Sequence, residues 1–301
     1  MYYVSFTEAF MTIPEIMKQR MTISFEVFPP KEDKPLEPLL EVLNRLYDKE
    51  PDFISCTYGA NGTNAGRHME ICRAIRESGR TIPISHFTCI GSTRQDIISQ
   101  MEKCLKMGVN HILALRGDIP AGWEGTRGDF RHASELISFL RKEYGSAFVI
   151  AMAGAPEKHI EAQTFAEDIA HLKMKQDAGA DFLMTQLCYD VEHFKRWLDT
   201  IRSAGVTIPV DVGIMPVLNK NSIIKMCLSM NGCSIPQPLA ELISRHYNDS
   251  NEDFEKAGIE FTIRQVYEYM ALGVDGLHFF SLNKADALLK ICEGCGIAYR
   301  K

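Results

Sequence analysis

One regularity constrains this chain more than any other. Eight times in sequence, a short run of strand character is followed by a longer stretch of helical period. The strand-like runs are 22–27, 53–59, 81–89, 111–116, 148–153, 182–187, 208–215 and 276–280. Between them, apolar residues recur at helical spacing, as in Leu36, Leu39, Leu40, Leu43 and Leu46 of the stretch 35–48. Further helices are expected over about 66–78, 92–107, 132–144, 163–178, 191–203 and 284–291. Residues 5–21 read as a helical lead-in interrupted by Pro14, and three extra helices follow the seventh strand, near 221–230, 238–246 and 253–272. Regular alternation requires parallel strands joined by right-handed crossovers. Eight such units in one chain predict an α/β fold, a single (β/α)8 TIM barrel over residues 1–301. A doubly wound sheet is the competing fold. It calls for a glycine-rich turn after the first strand, where this chain has Pro29-Pro30-Lys31.

Composition narrows the function classes. Thirty-three basic and 39 acidic side chains give a formal net charge of −6, which offers no general footprint for nucleic acid or an anionic membrane. No apolar run reaches membrane-spanning length, and the first twenty residues lack the basic-then-apolar order of a signal peptide, so a cytoplasmic protein is expected. The nine cysteines are scattered. Cys56, Cys89 and Cys188 fall in apolar strand-like runs, where a free thiol serves as a small hydrophobe. The close pair Cys292 and Cys295 has no second pair or histidine spacing to complete a zinc site, so reduced thiols and no bound metal are expected.

In a barrel, chemistry gathers where the strands end in the chain direction. Those ends carry Glu26, Thr57, His86, Arg116 with Asp118, Gln186 and the Phe280-Ser281 corner. Singly, each has a bland reading: His86 as a hydrogen-bonded core histidine, Asp118 as a turn residue, Gln186 as a satisfied amide. Their placement on one rim is what suggests a ligand site. Glu26, among Ile23, Phe25 and Val27, reads on that stretch alone as a satisfied strand-end glutamate or an ion pair; with the other strand ends beside it, burial can let it hold a proton near neutrality. The run Glu157-Lys158-His159 follows strand five, and Asp168, His171 and Lys175 lie three and four apart on the next helix. A solvated charged face accounts for that spacing; Lys175 and Arg116 also suit a phosphate or pyrophosphate. The long loop 119–130, rich in glycine and holding Trp123, has the length of a lid or ligand contact.

The segments Ser24–Pro30, Thr57-Tyr58-Gly59-Ala60-Asn61, His86–Cys89, Ala114–Asp118, Asp177–Ala180, Thr185-Gln186, Gly213–Val217 and Ser281–Lys284, in this order, resemble the methylenetetrahydrofolate reductase family. The resemblance covers about Ile23 to Leu289 and implies a (β/α)8 barrel that binds FAD without a covalent link. It implies reduction of 5,10-methylenetetrahydrofolate to 5-methyltetrahydrofolate, with NADH or NADPH as the electron source and ping-pong kinetics. Glu26 then matches the family's general acid, which protonates the leaving nitrogen, and Asp118 a carboxylate near flavin and pterin. Implied FAD contacts are Thr57, Tyr58, Ala60, His86, Arg116, Gly117, Asp118, Ala133, His159, Ala162, Asp168 and Lys175. Implied substrate contacts are Glu26, Asp118, Gln186, Ser222 and Lys284.

The chain departs from the family pattern at several of these places. Ala155 stands where an aromatic commonly precedes the proline after strand five, so one ring wall is either missing or supplied by another residue, with Trp123 as a candidate. Met174 replaces an arginine, Ser222 and Met226 replace a glutamine and a phenylalanine, and Lys284 replaces an arginine, keeping the charge without the fork. These changes bear on how the nicotinamide donor is held. Two alternatives therefore stand beside the reductase: a flavin-bearing subunit fed by an electron-transfer partner, and a flavin-free pterin-binding methyltransferase-like barrel. Outer barrel helices often pair, so a homo-oligomer is expected.

Overall fold

The computed structural model describes residues 11–58, 65–120, 122–229 and 233–297. Its eight strands are β1 (Thr22–Val27), β2 (Phe53–Cys56), β3 (Ile82–Thr88), β4 (His111–Leu115), β5 (Val149–Gly154), β6 (Phe182–Thr185), β7 (Val210–Ile214) and β8 (Gly276–Phe280). They pair in sequence order, all parallel, and β8 returns to β1 to close the barrel. The alternation in the sequence thus has the predicted outcome. Strand boundaries move little, although β2 ends at Cys56 rather than at residue 59.

Helices α2 (Glu37–Tyr47), α3 (Ala65–Ser78), α4 (Arg94–Lys106), α5 (Ala133–Tyr144), α6 (Phe165–Asp177), α7 (Val191–Ser203) and α11 (Ala285–Gly294) form the outer ring. Side-chain caps fix several starts. Thr93 caps α4 reciprocally with Asp96, Thr164 accepts from Glu167 N in α6, and Asp190 accepts from His193 N in α7. Of the lead-in, the described part is the short helix α1 (Ile13–Met17). Ile13 and Met17 are buried with Phe53, Ile84, Leu113 and Phe182, the side chains that fill the barrel's lower interior. The lead-in therefore plugs the amino-terminal end of the barrel.

The barrel interior is chemically lopsided. Strands β2 to β6 send in mostly apolar groups, and Phe53 meets Phe182 across the axis at 6.2 Å. On the other side stand Ser24 and Glu26 of β1, Asp211 of β7 and His278 of β8. Side chains alternate across a strand, so residues 24 and 26 share the inward face.

After β7 come α8 (Lys220–Ser229), α9 (Gln237–Arg245) and α10 (Asn251–Ala271), the three extra helices expected from the sequence. The long helix α10 acts as a brace behind the mouth. Its Thr262 hydroxyl accepts from Val217 N at 3.1 Å, beyond the end of β7. Its Gln265 amide donates to the carbonyls of Cys188 and Tyr189, and Tyr269 Oη donates to the Cys188 carbonyl, all beyond β6. Gly258 permits this approach, because a Cβ there would collide with the carbonyl of Val217.

Candidate functional site

Glu26 is the next-to-last residue of β1, and its carboxylate faces the carboxyl-terminal mouth with 18% of the side chain exposed. His86 Nε2 of β3 lies 3.5 Å from Glu26 Oε2 without a hydrogen bond, and that buried nitrogen has no hydrogen-bond partner among the described residues. His278 Nε2 of β8 stands 3.8 Å from the same oxygen. Below, the His278 ring is held between the hydroxyls of Ser24 (2.7 Å to Nδ1) and Ser55 (3.3 Å to Nε2) and stacks on Phe53. Ser24 Oγ also reaches Asp211 Oδ2 at 3.3 Å. A buried polar column thus runs from Asp211 through Ser24 and His278 to Glu26.

The electrostatics of that column follow from its burial. Burial is the largest influence on Glu26 and pushes its pKa up. The His278 imidazole and then His86 push it down, and together they win, so the carboxyl lies below its ordinary value. This differs from the sequence expectation of an acid kept protonated by apolar neighbours: the strand end is apolar, but two imidazoles from distant strands face it. Burial lowers His86 to about 4, against the opposing pull of Glu26. Asp211, fully buried with Oδ1 unpartnered, is raised to about 7 by burial against the opposing pull of His278.

Glu26, Thr57, His86 and Gln186 line a cavity of about 280 Å³ at the mouth, whose apolar wall includes Met184, Met215 and Phe280. That size is near the lower end for small-molecule pockets. A larger cavity, about 640 Å³, lies outside the barrel between α7, α9 and α10, and it contains none of the mouth residues. The convergent titratable groups mark the smaller cavity as the candidate site.

Around it, the other candidate residues occupy distinct places. Arg116 forms a forked ion pair with Glu161, 2.7 Å at its longer contact. Gly117 has φ +88°, and a Cβ there would stand 2.7 Å from Ile90, so the turn needs glycine. Asp118 is exposed on the following loop and does not line the cavity. Lys175 donates to the carbonyl of Ala153, and burial lowers it to about 8. Asp168 is buried and accepts from His159 N at 3.2 Å; Ala162 is buried beside them. Tyr58 donates to Gln100 and packs on His68 and Phe87. Ala133 opens α5. Ser222 is exposed on α8 and Lys284 is exposed before α11. Ala60 lies outside the described residues.

Trp123 does not replace the wall at Ala155. It sits over Gly91 with Arg127 stacked at 5.0 Å, away from the cavity, whereas Ala155 itself lines the cavity. The sequence reading missed His278, Ser24, Ser55 and Asp211. The signal was present: a charged residue in Val210-Asp211-Val212 and a histidine between Leu277 and Phe279 are rare in buried strands unless partnered. Reading only strand ends overlooked it.

A family profile described as "Methylenetetrahydrofolate reductase" matches residues 11–296. The chain is 34% identical over 281 residues to 5,10-methylenetetrahydrofolate reductase of Pectobacterium carotovorum, covering 93% of this chain and 92% of that protein. It is 33% identical over 283 residues to methylenetetrahydrofolate reductase 1 of Schizosaccharomyces pombe, covering 93% of this chain and 47% of that protein. The chain spans about half the length of its fungal and plant relatives and nearly all of its bacterial ones. In fold it resembles a Clostridium thermocellum protein that binds two copies of 5-methyl-5,6,7,8-tetrahydrofolic acid. The TM-score is 0.65 at 14% identity, covering 94% of this chain and 96% of that one.

Proposed function

The chain belongs to the methylenetetrahydrofolate reductase family, and from that premise we propose that it reduces 5,10-methylenetetrahydrofolate to 5-methyltetrahydrofolate with FAD as cofactor and NADH or NADPH as donor. Three plant relatives carry NADH in their names, which favours NADH. The carrying observation is Glu26, paired with two imidazoles in a cavity at the carboxyl-terminal mouth.

The residues present fit a flavin. His86 offers a buried, unpartnered ring nitrogen at the mouth, and Thr57 lines the same cavity. Lys175, Arg116 and His159 supply cationic or hydrogen-bonding groups for the cofactor's anionic part. When bound, FAD supplies the hydride chemistry that no side chain can.

The protein's own part is proton handling and orientation. Opening the substrate's imidazolidine ring requires a proton on the departing nitrogen, and Glu26 is the group placed to give it. In the free protein His278 and His86 hold the Glu26 carboxyl below its ordinary pKa. Substrate covering the mouth strengthens the burial effect and raises Glu26 toward an acid. Gln186 offers donor and acceptor together to a pterin edge. Asp118, on its loop, supplies negative charge toward a cationic folate intermediate. Ser222 and Lys284 are assigned to the substrate's outer portion, Lys284 as a point charge for a carboxylate.

Anaerobic mixing with each nicotinamide tests this reading. The purified protein is expected to carry FAD, to bleach with NADH and to recolour on adding methylenetetrahydrofolate. A colourless protein that takes up no FAD overturns it. Bound FAD that neither nicotinamide reduces transfers the donor role to a partner protein.

A further inference from the structure

A second cluster of chemistry-bearing side chains lies outside the mouth. Cys56 ends β2, and His68 and Cys72 stand four residues apart on one face of α3. All three are buried, and one donor atom from each lies within 4.8 Å of the others. His68 Nε2 is 3.7 Å from Cys72 Sγ and 3.2 Å from Ser85 Oγ of β3. For tetrahedral zinc with ordinary bond lengths, sulfur–sulfur and sulfur–nitrogen edges are about 3.6–3.8 Å. The edge from His68 Nε2 to Cys72 Sγ matches them, and the other two lie within 4.8 Å.

We propose that Cys56, His68 and Cys72 bind a single zinc ion, with Ser85 Oγ at the fourth position, fastening the end of β2 to α3. The role of small hydrophobes accounts for an isolated buried thiol, but not for two thiols meeting an imidazole. Charge selects the ion. Two thiolates and a neutral imidazole around a divalent cation sum to zero, the arrangement a dry interior tolerates best. A monovalent soft cation leaves a buried negative charge. Binding replaces two S–H bonds with two Zn–S bonds and releases two protons to the buffer, with no change of oxidation state.

The consequence is local. Thr57 follows Cys56 directly and donates its N–H to the Val27 carbonyl at 3.0 Å, and the Tyr58 ring meets His68 edge-on at 5.3 Å. The metal therefore steadies the segment that carries two residues assigned to FAD. The sequence reading expected no metal because it sought a complete ligand spacing in linear order; here the third ligand arrives from the preceding strand.

The test is titration of the reduced, chelator-treated full-length protein with zinc against a chromophoric chelator, followed by cobalt substitution. Expected are one equivalent per chain, affinity that rises with pH, and a strong thiolate-to-cobalt charge-transfer band. Cys72→Val is expected to abolish uptake, whereas Cys292→Ala, at a buried cysteine outside the cluster, keeps it. If Cys72→Val does not fold, X-ray absorption on the zinc-loaded natural protein decides, with two sulfur ligands and one imidazole expected. No uptake, uptake retained by a folded Cys72→Val, or a metal without sulfur ligands overturns the proposal.

Discussion

The acid at the mouth is a product of its neighbours. Glu26 on its own is a strand-end carboxylate; with His278 at 3.8 Å and His86 at 3.5 Å it becomes a carboxylate whose proton is negotiable. Two predictions follow from that pairing. Glu26→Gln keeps the carbonyl but loses the transferable proton, so folate turnover falls by about 10²–10⁴-fold. Flavin binding and reduction by the nicotinamide persist, and separate half-reaction rates measure the difference. Equal folate turnover removes Glu26 from the chemistry. His278→Gln takes away the group that, after burial, acts most strongly on Glu26. The Glu26 pKa then rises, and the alkaline limb of the kcat/KM profile moves to higher pH. A stationary limb would mean that this limb belongs to another group. Of these residues, Glu26 and His86 were legible as strand ends. His278 was not, because it lies inside β8 and its relation to Glu26 depends on barrel closure.

At the level of elements, patterning succeeded where packing is generic. Each outer helix presents an apolar stripe to the sheet, so its period alone reveals it. The helices after β7 were found the same way, but the brace formed by α10 was not. It rests on single polar contacts from Thr262, Gln265 and Tyr269, and on a glycine whose only sign in sequence is its identity. Gly258→Ala forces a methyl against the Val217 carbonyl. The helix must withdraw, and stability falls by about 3 kcal/mol, as for other overpacked buried positions. Urea unfolding measures the loss. An unchanged midpoint would show that α10 is free to shift, contrary to the four hydrogen bonds that hold it. At the opposite seam, Asn283 has φ +53° and exchanges two hydrogen bonds with the backbone of Phe28, clasping the loops after β8 and β1.

The whole molecule stores its pH dependence in a few interior groups. His86 and His111 are both lowered to about 4 by burial, against about 6.5 when unfolded. Between those values the unfolded chain binds two more protons than the fold at these sites. Asp211, raised to about 7, binds one more in the fold over the same range. The balance leaves one extra proton on the unfolded side, so stability falls by roughly 1.4 kcal/mol per unit as pH drops from about 6.5 to 4. The lowered pKa of Glu26 adds to the loss in the same direction. Urea titrations across that window measure the slope. His111 lies at the start of β4, away from the mouth, with Nδ1 3.0 Å from Asn110 Oδ1. His111→Asn removes one of the two histidine contributions and flattens the acid limb; an undiminished slope would show that the histidine is not neutral in the fold. Such interior titrations depend on tertiary burial and leave no trace in residue order, unlike the eightfold alternation that announced the barrel.

The register of the last strand against the first pairs Glu26 with Phe280 and Ser24 with His278. A ribosome has therefore finished the first strand long before it makes the partner that tunes its carboxylate. An incomplete nascent chain carries an ordinary glutamate at this position. The proposed acid gains its paired setting only when the two ends of the barrel meet, so that setting arrives all at once, as the final strand docks.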